Sequence, residues 1–411
     1  MISVPPGRSI HHAEKGQYGV DNPRSVEYTS SMRLIVNAIS AHTGGIVTYT
    51  TNVIHYLSKF GEQGTIFLPE WFSARPDGGE ASTIRLRSMR ATHYGALRRF
   101  LWEQLIWRRL VEQSGAEILF STANYGLLRP PIRQVLLVQG ETSFDPLYQR
   151  HILPRLSHAE RRAFALRRRL VLWSARNSDL VIFPSRTSLE SVSRYDPSIA
   201  VKSTVNHLGA DDELFKVARA RPWRGDGTLK IIYLSIYYPH KDPHTLARAT
   251  ELLNQKGVAA HARITMEPED FAIWSTGHED IGVLRQDQRT GYLTLGRLAH
   301  TDVGTALADH DVLVFPSLTE TFGFPLVEAM AVGVPVVAAD IPIHREICGD
   351  AALYFEPGNP EDVCARLLEL DAGADLRARC RERGKARVKE RFTWERHMRA
   401  LIDCFKTVTE S

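Results

Sequence analysis

The chain has 411 residues, 43% of them hydrophobic and 24% charged, with a formal charge of +4. This is the balance of an ordinary globular protein of two or three domains, and it excludes a disordered chain, a collagen and a coiled coil. No apolar run approaches the ~18 residues of a membrane span, and a charge this small does not imply nucleic acid.

Residues 1–31 are polar and lack the apolar stretch of a secretory signal. They read as a flexible extension, or as an upstream start to a domain that begins at Met32. The four cysteines, Cys348, Cys364, Cys380 and Cys404, fit no metal-ligand spacing and read as free thiols of a reducing cytosol.

From Met32 onward, short β-branched runs alternate with helical patterns. The first series of expected strands is Leu34–Ile39, Gly64–Leu68, Ile118–Ser121, Gln134–Val138, Leu180–Pro184 and Ala200–Asn206. The second is Lys230–Ser235, Ala262–Met266, Tyr292–Gly296, Val312–Pro316, Pro335–Ala338 and Ala352–Phe355. Helices are expected at Gly45–Lys59, Ala96–Gln113, Glu160–Ser174, Asp242–Lys256 and Leu326–Val332. Such alternation makes parallel sheets from βαβ units, and the series is too long for one ordinary open sheet. The expected fold is therefore α/β, with two Rossmann-like, doubly wound domains. A hinge is expected after Asn206, where Pro222, Gly225 and Gly227 precede a new strand. One helix start is explicit: Asn359 as N-cap, Pro360 at the first position, then Glu361 and Asp362.

The most informative stretch is DHDVLVFPSLTETFGFPLVEAMAVGVPVVAADIPIHRE, residues 309–346. VLVF reads as a buried strand, SLTETFGF as the loop at its carboxyl end, and PLVEAMAVG as a helix begun by Pro325 and stopped by Gly333. Open α/β sheets bind ligands at the carboxyl ends of their strands. A helix N-terminus there offers unpaired N–H groups that suit a phosphate. Gly323 lets a ligand approach the backbone. Glu320 projects from the loop, and Glu328, expected in the first helical turn, is placed to accept hydrogen bonds from a hydroxyl pair.

With its Pro, Gly and helix-start context, PSLTETFGFPLVEAMAVGVPVV resembles the EX7E segment of retaining GT-B glycosyltransferases of family 4, with Glu320 and Glu328 as the two glutamates. The resemblance runs over roughly residues 32–405 and is strongest from 290 to 370. It implies two domains facing across a cleft: an acceptor-binding domain at 32–205, a nucleotide-sugar domain at 206–389, and a last helix at 390–406 packing back on the first. It implies transfer of a hexose from a UDP- or GDP-sugar, with retention, to a glycan or lipid-linked acceptor. The process is expected to be assembly of a bacterial O-antigen, capsule or exopolysaccharide.

By that resemblance Glu320 contacts the donor sugar, the N–H groups of Phe322, Gly323 and Phe324 cradle it, those near Leu326 and Val327 hold the diphosphate, and Glu328 binds the ribose. Gly44 and Gly45 follow the first strand and open a helix, as in the family's phosphate- or acceptor-proximal loop. Lys241 stands where the family places a cation against the diphosphate in a G-R-x4-K pattern. Here Ser235 and Ile236 occupy the Gly and Arg positions, leaving open what replaces the Arg. Gln139 stands where relatives often have a His beside the reacting sugar; it can hydrogen-bond but cannot relay a proton. Gly296 and Arg297 stand where relatives cradle the base. Lys241, Glu320 and Gln139 are the expected catalytic set.

No metal or other cofactor is expected, because helix dipoles and cations take that part in the family. Asp309-His310-Asp311 mimics a DxD metal motif but precedes its strand, away from the ligand edge. Two basic stretches, one with Arg98, Arg99, Trp102, Trp107, Arg108 and Arg109 and one from His151 to Arg169, suit an anionic membrane surface. The expected location is cytoplasmic, peripheral on the inner face of the membrane. Two other readings are a GT-B-like nucleotide-sugar epimerase, which needs no acceptor, and a non-catalytic sugar-nucleotide- or glycan-binding protein, suggested by Ile236 and Gln139.

Overall fold

The structure is a computed structural model and describes residues 32–42, 44–72, 83–94, 96–140, 142–217 and 222–410. The expected extension at 1–31, with His11 and His12, lies outside them. Thirteen parallel strands form two sheets. The first contains β1 (Arg33–Asn37), β2 (Gln63–Pro69), β3 (Ile84–Met89), β4 (Ile118–Ser121), β5 (Arg133–Leu137), β6 (Leu180–Phe183) and β7 (Ser203–Val205). The second contains β8 (Leu229–Tyr233), β9 (Ala260–Ile264), β10 (Leu293–Leu295), β11 (Val312–Phe315), β12 (Val336–Ala339) and β13 (Ala352–Phe355).

Their spatial orders are β3-β2-β1-β4-β5-β6-β7 and β10-β9-β8-β11-β12-β13. In each, the chain winds outward on one side, returns to the centre, and winds outward on the other. Each sheet therefore has one switch point, β1/β4 in the first and β8/β11 in the second. The carboxyl ends of the strands there open toward a ligand, because the flanking crossovers leave in opposite directions.

Around the first sheet run α1 (Gly45–Lys59), α2 (Ala96–Trp102), α3 (Arg108–Gln113), α4 (His158–Arg176), α5 (Arg186–Ser193) and α6 (Pro197–Val201). Around the second run α7 (Pro243–Gln255), α8 (Pro268–Phe271), α9 (Gly277–Gln288), α10 (Val303–Ala308), α11 (Phe324–Val332), α12 (Pro342–Cys348), α13 (Pro360–Ala372) and α14 (Ala374–Arg391). A last helix, α15 (Trp394–Glu410), returns to the first sheet. Its Phe405 ring meets Phe120 of β4 at 5.2 Å, and His397 bonds the Tyr49 hydroxyl of α1 at 3.2 Å. The outgoing and returning strands of chain run side by side, with Ala210 N–H donating to the Phe392 carbonyl at 2.8 Å. Gly209 is required there, since a Cβ would lie 2.2 Å from the Trp394 nitrogen.

The central strands are buried on both faces, which is why they read as continuous apolar runs. Leu34 and Val36 of β1 join one core, shared with α1, α15 and the second sheet, while Ile35 joins another with Phe67, Trp107 and Leu119.

Every expected strand has a counterpart, with two corrections. Residues 200–206 are not one strand: Pro197–Val201 is helical, because the Asp196 carboxylate accepts the Ser198 N–H at 3.0 Å and Pro197 stands in the first turn. β3 was not expected; its IRLRSM alternation belongs to an edge strand with one exposed face. The expected helix at 96–113 is continuous, with a π turn at Glu103–Trp107 between α2 and α3. The last helix begins at Trp394, four residues later than expected, because α14 ends at Arg391. Asn359 caps α13 as expected, accepting the Asp362 N–H at 3.0 Å. All four cysteines are free.

Candidate active site

Polar side chains gather at the second sheet's switch point. β8 ends at Tyr233 and leads through Lys241 into α7; β11 ends at Phe315 and leads through Glu320 into α11. The Lys241 ammonium donates to Glu320 at 2.5 Å, and both side chains are nearly buried. Tyr233 fixes this arrangement from below: its hydroxyl donates to the Lys241 carbonyl at 2.8 Å and lies 3.3 Å from Ser317 Oγ. The two loops are also tied by Leu318 N–H donating to the His240 carbonyl at 2.8 Å. Burial raises the Glu320 carboxyl, but the Lys241 charge, His240 and bonds from Lys241 and Ser317 outweigh it, and Glu320 is held below its ordinary value.

Two buried histidines flank the pair. Burial first, and the Lys241 charge second, push His240 down to about 3. His344 is pushed down to about 4, mainly by burial, although its Nδ1 lies 2.8 Å from the Ala339 carbonyl. Both are therefore neutral near pH 7. They act as shaped polar walls rather than as charges.

Gly323 caps α11 with φ 88°, a conformation open to glycine and costly for other residues. The helix begins at Phe324, with Pro325 second, so the amides of its first turn point out of the strand end. This start moves Glu328 to the fifth helical position rather than the first turn, which corrects the sequence expectation. Burial, with a smaller contribution from Asp211, pushes the Glu328 carboxyl up to about 7. Phe322 is buried, while Phe324 is half-buried and stacks on Trp394 with centroids 6.1 Å apart. Leu326 and Val327 are buried in the core, and the Leu326 N–H, expected to hold a diphosphate, donates to the Gly323 carbonyl at 3.0 Å instead.

The first sheet contributes glycines and an amide, and one ion pair past β1: Arg99 bonds Glu103 at 3.2 Å and donates to Ser40 Oγ at 2.6 Å. Gly44 has φ 68° and caps α1. Gly45 is needed for close approach, since a Cβ would lie 2.8 Å from the Phe324 ring. Gln139 follows β5 and donates to the Thr122 carbonyl at 3.2 Å. Gly45 thus lies against the start of α11, and Gly140, next to Gln139, donates its N–H to Thr321 Oγ1 in the Glu320 loop at 3.1 Å.

Arg297 is engaged within its own half, with Glu267 at 3.1 Å and Asp270 at 2.6 Å, and Gly296 N–H donates to the Ile264 carbonyl at 3.2 Å. At the missing Arg position, Ile236 is half-buried, and the Ser235 N–H donates to Thr265 Oγ1 at 2.8 Å. Asp311 accepts the N–H groups of Arg224 and Lys230 at 3.1 and 2.9 Å, so its carboxylate anchors the start of β8.

Sequence reasoning missed Tyr233, Ser317, His344 and the hydroxyls around Thr321. His344 had a signal, a histidine in an otherwise apolar helix start after VVAAD. The others needed the sheet order.

Comparison with known proteins agrees with this architecture. Residues 43–214 match the family described as Glycosyltransferase Family 4, and residues 287–387 match Glycosyl transferases group 1. The O-antigen chain mannosyltransferase B of Escherichia coli is 28% identical over 179 residues, 43% of this chain and 45% of that protein. The chain thus matches less than half the length of that relative. Among solved structures, sucrose-phosphate synthase from Thermosynechococcus elongatus superposes with a TM-score of 0.72 at 18% identity, covering 92% of this chain and 99% of that one. HepE of Anabaena, in complex with UDP-glucose, gives 0.68 at 16% identity, covering 92% and 100%. The two doubly wound halves define a two-domain GT-B fold. The chain belongs to the family 4 glycosyltransferases.

Proposed function

We propose that this glycosyltransferase moves a hexose from a nucleoside-diphosphate sugar, with UDP or GDP as carrier, to a hydroxyl of a glycan or lipid-linked glycan, with retention at the anomeric carbon. The observation that carries this reading is the Lys241–Glu320 pair at the β8/β11 switch point, beside the first turn of α11. A lysine has three N–H donors; one goes to Glu320 and the others suit a diphosphate. The Phe324 amide and the positive end of the α11 dipole suit the same group, while the Leu326 N–H is spent on the Gly323 carbonyl.

No protein nucleophile is invoked. The acceptor oxygen bonds to the anomeric carbon on the face from which the diphosphate leaves. The bond from that carbon to the diphosphate oxygen breaks, and that oxygen takes the acceptor's proton. Lys241 and the α11 start stabilise the charge that develops on the diphosphate. Glu320 orients the ring, and Gln139 bonds a sugar hydroxyl. Lys241 and the helix start do what a metal does elsewhere. HepE is described with UDP-glucose, which fits a sugar-nucleotide donor, and the O-antigen chain mannosyltransferase relative fits a role in surface polysaccharide assembly.

The membrane reading narrows. Trp107 is buried against Phe67 at 4.7 Å, so the apolar contact would come from exposed Leu101, Leu105 and Ile106 beside Arg98 and Arg109. No helix among the described residues is long and apolar enough to cross a membrane.

The test is a thermal-shift screen against UDP, GDP, ADP and their sugars, followed by turnover with the stabilising donor. Ligand at about 100 times its Kd stabilises by roughly 2.7 kcal/mol. Stabilisation by one nucleotide, with transfer that Glu320→Ala abolishes while nucleotide binding survives, is the expected result. Release of free nucleotide without any acceptor would favour an epimerase, and binding without turnover a sugar-nucleotide-binding protein.

A further inference from the structure

Of the loop that carries Glu320, the residue held most tightly by the opposite half is Thr321. The Gly140 N–H, which follows β5, donates to Thr321 Oγ1 at 3.1 Å. The Thr321 carbonyl accepts from Ser185 Oγ at 2.7 Å and from Ser188 Oγ at 3.1 Å, both at the start of α5. All three partners belong to the first sheet's half, while Thr321 belongs to the second. Ser185 and Ser188 are buried, and Ser185 is also the N-cap of α5.

The helix start that grips Thr321 is itself gripped from the second half. Glu346 of α12 accepts the N–H groups of Arg186 and Thr187 at 2.7 and 2.9 Å and the Thr187 hydroxyl at 2.8 Å. The start of α5 is thus wedged between α12 and the Glu320 loop. Three residues beyond Thr321, Phe324 lies against Gly45. The segment from 320 to 324 is thus held in its own half by Lys241, Ser317 and the burial of Phe322, and from the other half at Thr321 and Phe324.

We propose that Thr321 is a positioning residue through which apposition of the two halves sets the place of Glu320. This rests on the function proposed above and deepens it. Without the first half the loop would keep its Lys241 and Ser317 bonds and the Leu318 tie to His240, but Thr321, next to Glu320, would lose all three of its bonds from the other half. Those three hydrogen bonds come from the acceptor side, so Glu320 takes its working position when the acceptor half is in place. A displacement of about 1 Å at such a group costs roughly 10²-fold in rate. The arrangement makes sugar transfer conditional on closure, and it limits wasteful attack by water on a donor held in the open form.

The test uses the full chain in three forms: wild type, the double variant S188A/T321V, and the conservative single variant T321S. S188A/T321V removes the Gly140 contact and one carbonyl contact and leaves the Ser185 cap. Without ligand, hydrogen–deuterium exchange over residues 318–326 is expected to rise in S188A/T321V and to stay at the wild-type level in T321S. With the sugar nucleotide the wild type turns over, kcat is expected to fall about 10²-fold in the double variant, with UDP or GDP affinity unchanged by calorimetry, and T321S is expected to keep its rate. Unchanged exchange, an unchanged kcat, or an equal loss in T321S would overturn the proposal. A wild type that turns over no sugar nucleotide defeats the transfer reading instead; the exchange measurement then decides the positioning role alone.

Discussion

The two sheets are wound alike, yet their carboxyl ends carry different chemistry. At β1/β4 and the neighbouring β5 stand Gly44, Gly45, Gln139 and Gly140, which offer backbone, an amide and room. At β8/β11 stand Lys241 and Glu320, a nearly buried ion pair with neutral His240 and His344 beside it. Both strand ends hold an ion pair, but in the first half Arg99 is spent on Glu103 and Ser40, whereas Lys241 and Glu320 stand at the switch point beside the start of α11. In the transfer proposed above, charge would develop on a leaving diphosphate, and the half proposed to hold the donor would need the cation. The opposite half would need to approach closely without adding a competing charge.

The largest effects are expected where the charge is. Glu320→Ala and Lys241→Ala should each lower turnover by about 10³-fold, the scale of a lost transition-state contact. Each should also destabilise the fold by roughly 3–5 kcal/mol, because it leaves a buried charge without its partner. The double variant K241M/E320L should recover most of that stability in urea unfolding and none of the turnover. If K241M/E320L is as unstable as the single variants, the pair is not the buried unit described above.

The neutral side is tested through its glycine. Gly45→Ala places a methyl 2.8 Å from the Phe324 ring, an overpacking expected to cost about 1–3 kcal/mol. Turnover should fall with it, since Phe324 opens α11. The added substitution F324L, which trims the ring, should restore much of both. A G45A chain with wild-type activity would show that the first half's close approach is dispensable.

What the sequence disclosed follows the same divide. The charged side was legible because its signals are local: a strand, a Gly323-capped helix and two glutamates with seven residues between them lie in one short string. Gly44-Gly45 and Gln139 could be named but not joined to that string, because their distance from it depends on how two separate sheets meet. The Lys241–Glu320 pairing was hidden for a related reason. Its members are 79 residues apart and are brought together by the β8/β11 adjacency, which no periodicity reveals. β3 was missed because an edge strand with alternating arginines resembles a polar loop. Glu328 was set one residue too early because Phe324, not Pro325, begins the helix after the Gly323 cap.

Glu328 gives the third test, by pH. Its carboxyl is raised to about 7 from an ordinary 4.5, so between these values the folded chain binds a proton that the unfolded chain has released. Stability contributed here is present below pH 4.5 and lost as pH rises through 7, by at most on the order of 3 kcal/mol. Glu328→Gln should flatten that part of the stability profile. Nucleotide affinity of the wild type should rise over the same interval, because the ionised carboxylate is the better acceptor for a ribose hydroxyl pair. The buried His344 works in the opposite sense. Lowered to about 4, it adds stability that is present above its ordinary 6.5 and lost as pH falls through 4, so His344→Gln should soften acid unfolding.

The smallest effect is expected away from both strand ends, and it sharpens the comparison by serving as its zero. Asn359 caps α13 through one hydrogen bond to the Asp362 N–H at 3.0 Å, within the second half and far along the sheet order from β8/β11. Asn359→Ala should cost about 1 kcal/mol and leave turnover untouched. The cap on α4 has the same local form but a wider reach. Glu160 closes the capping box with Ser157 and also accepts the Ser275 N–H of the other half at 3.0 Å. Those bonds outweigh its partial burial and hold its carboxyl down to about 2. Glu160→Gln should therefore lower both stability and turnover, whereas N359A lowers stability alone. Equal behaviour of the two caps in urea unfolding and turnover would mean that the contacts between halves hold the fold together without governing the reaction.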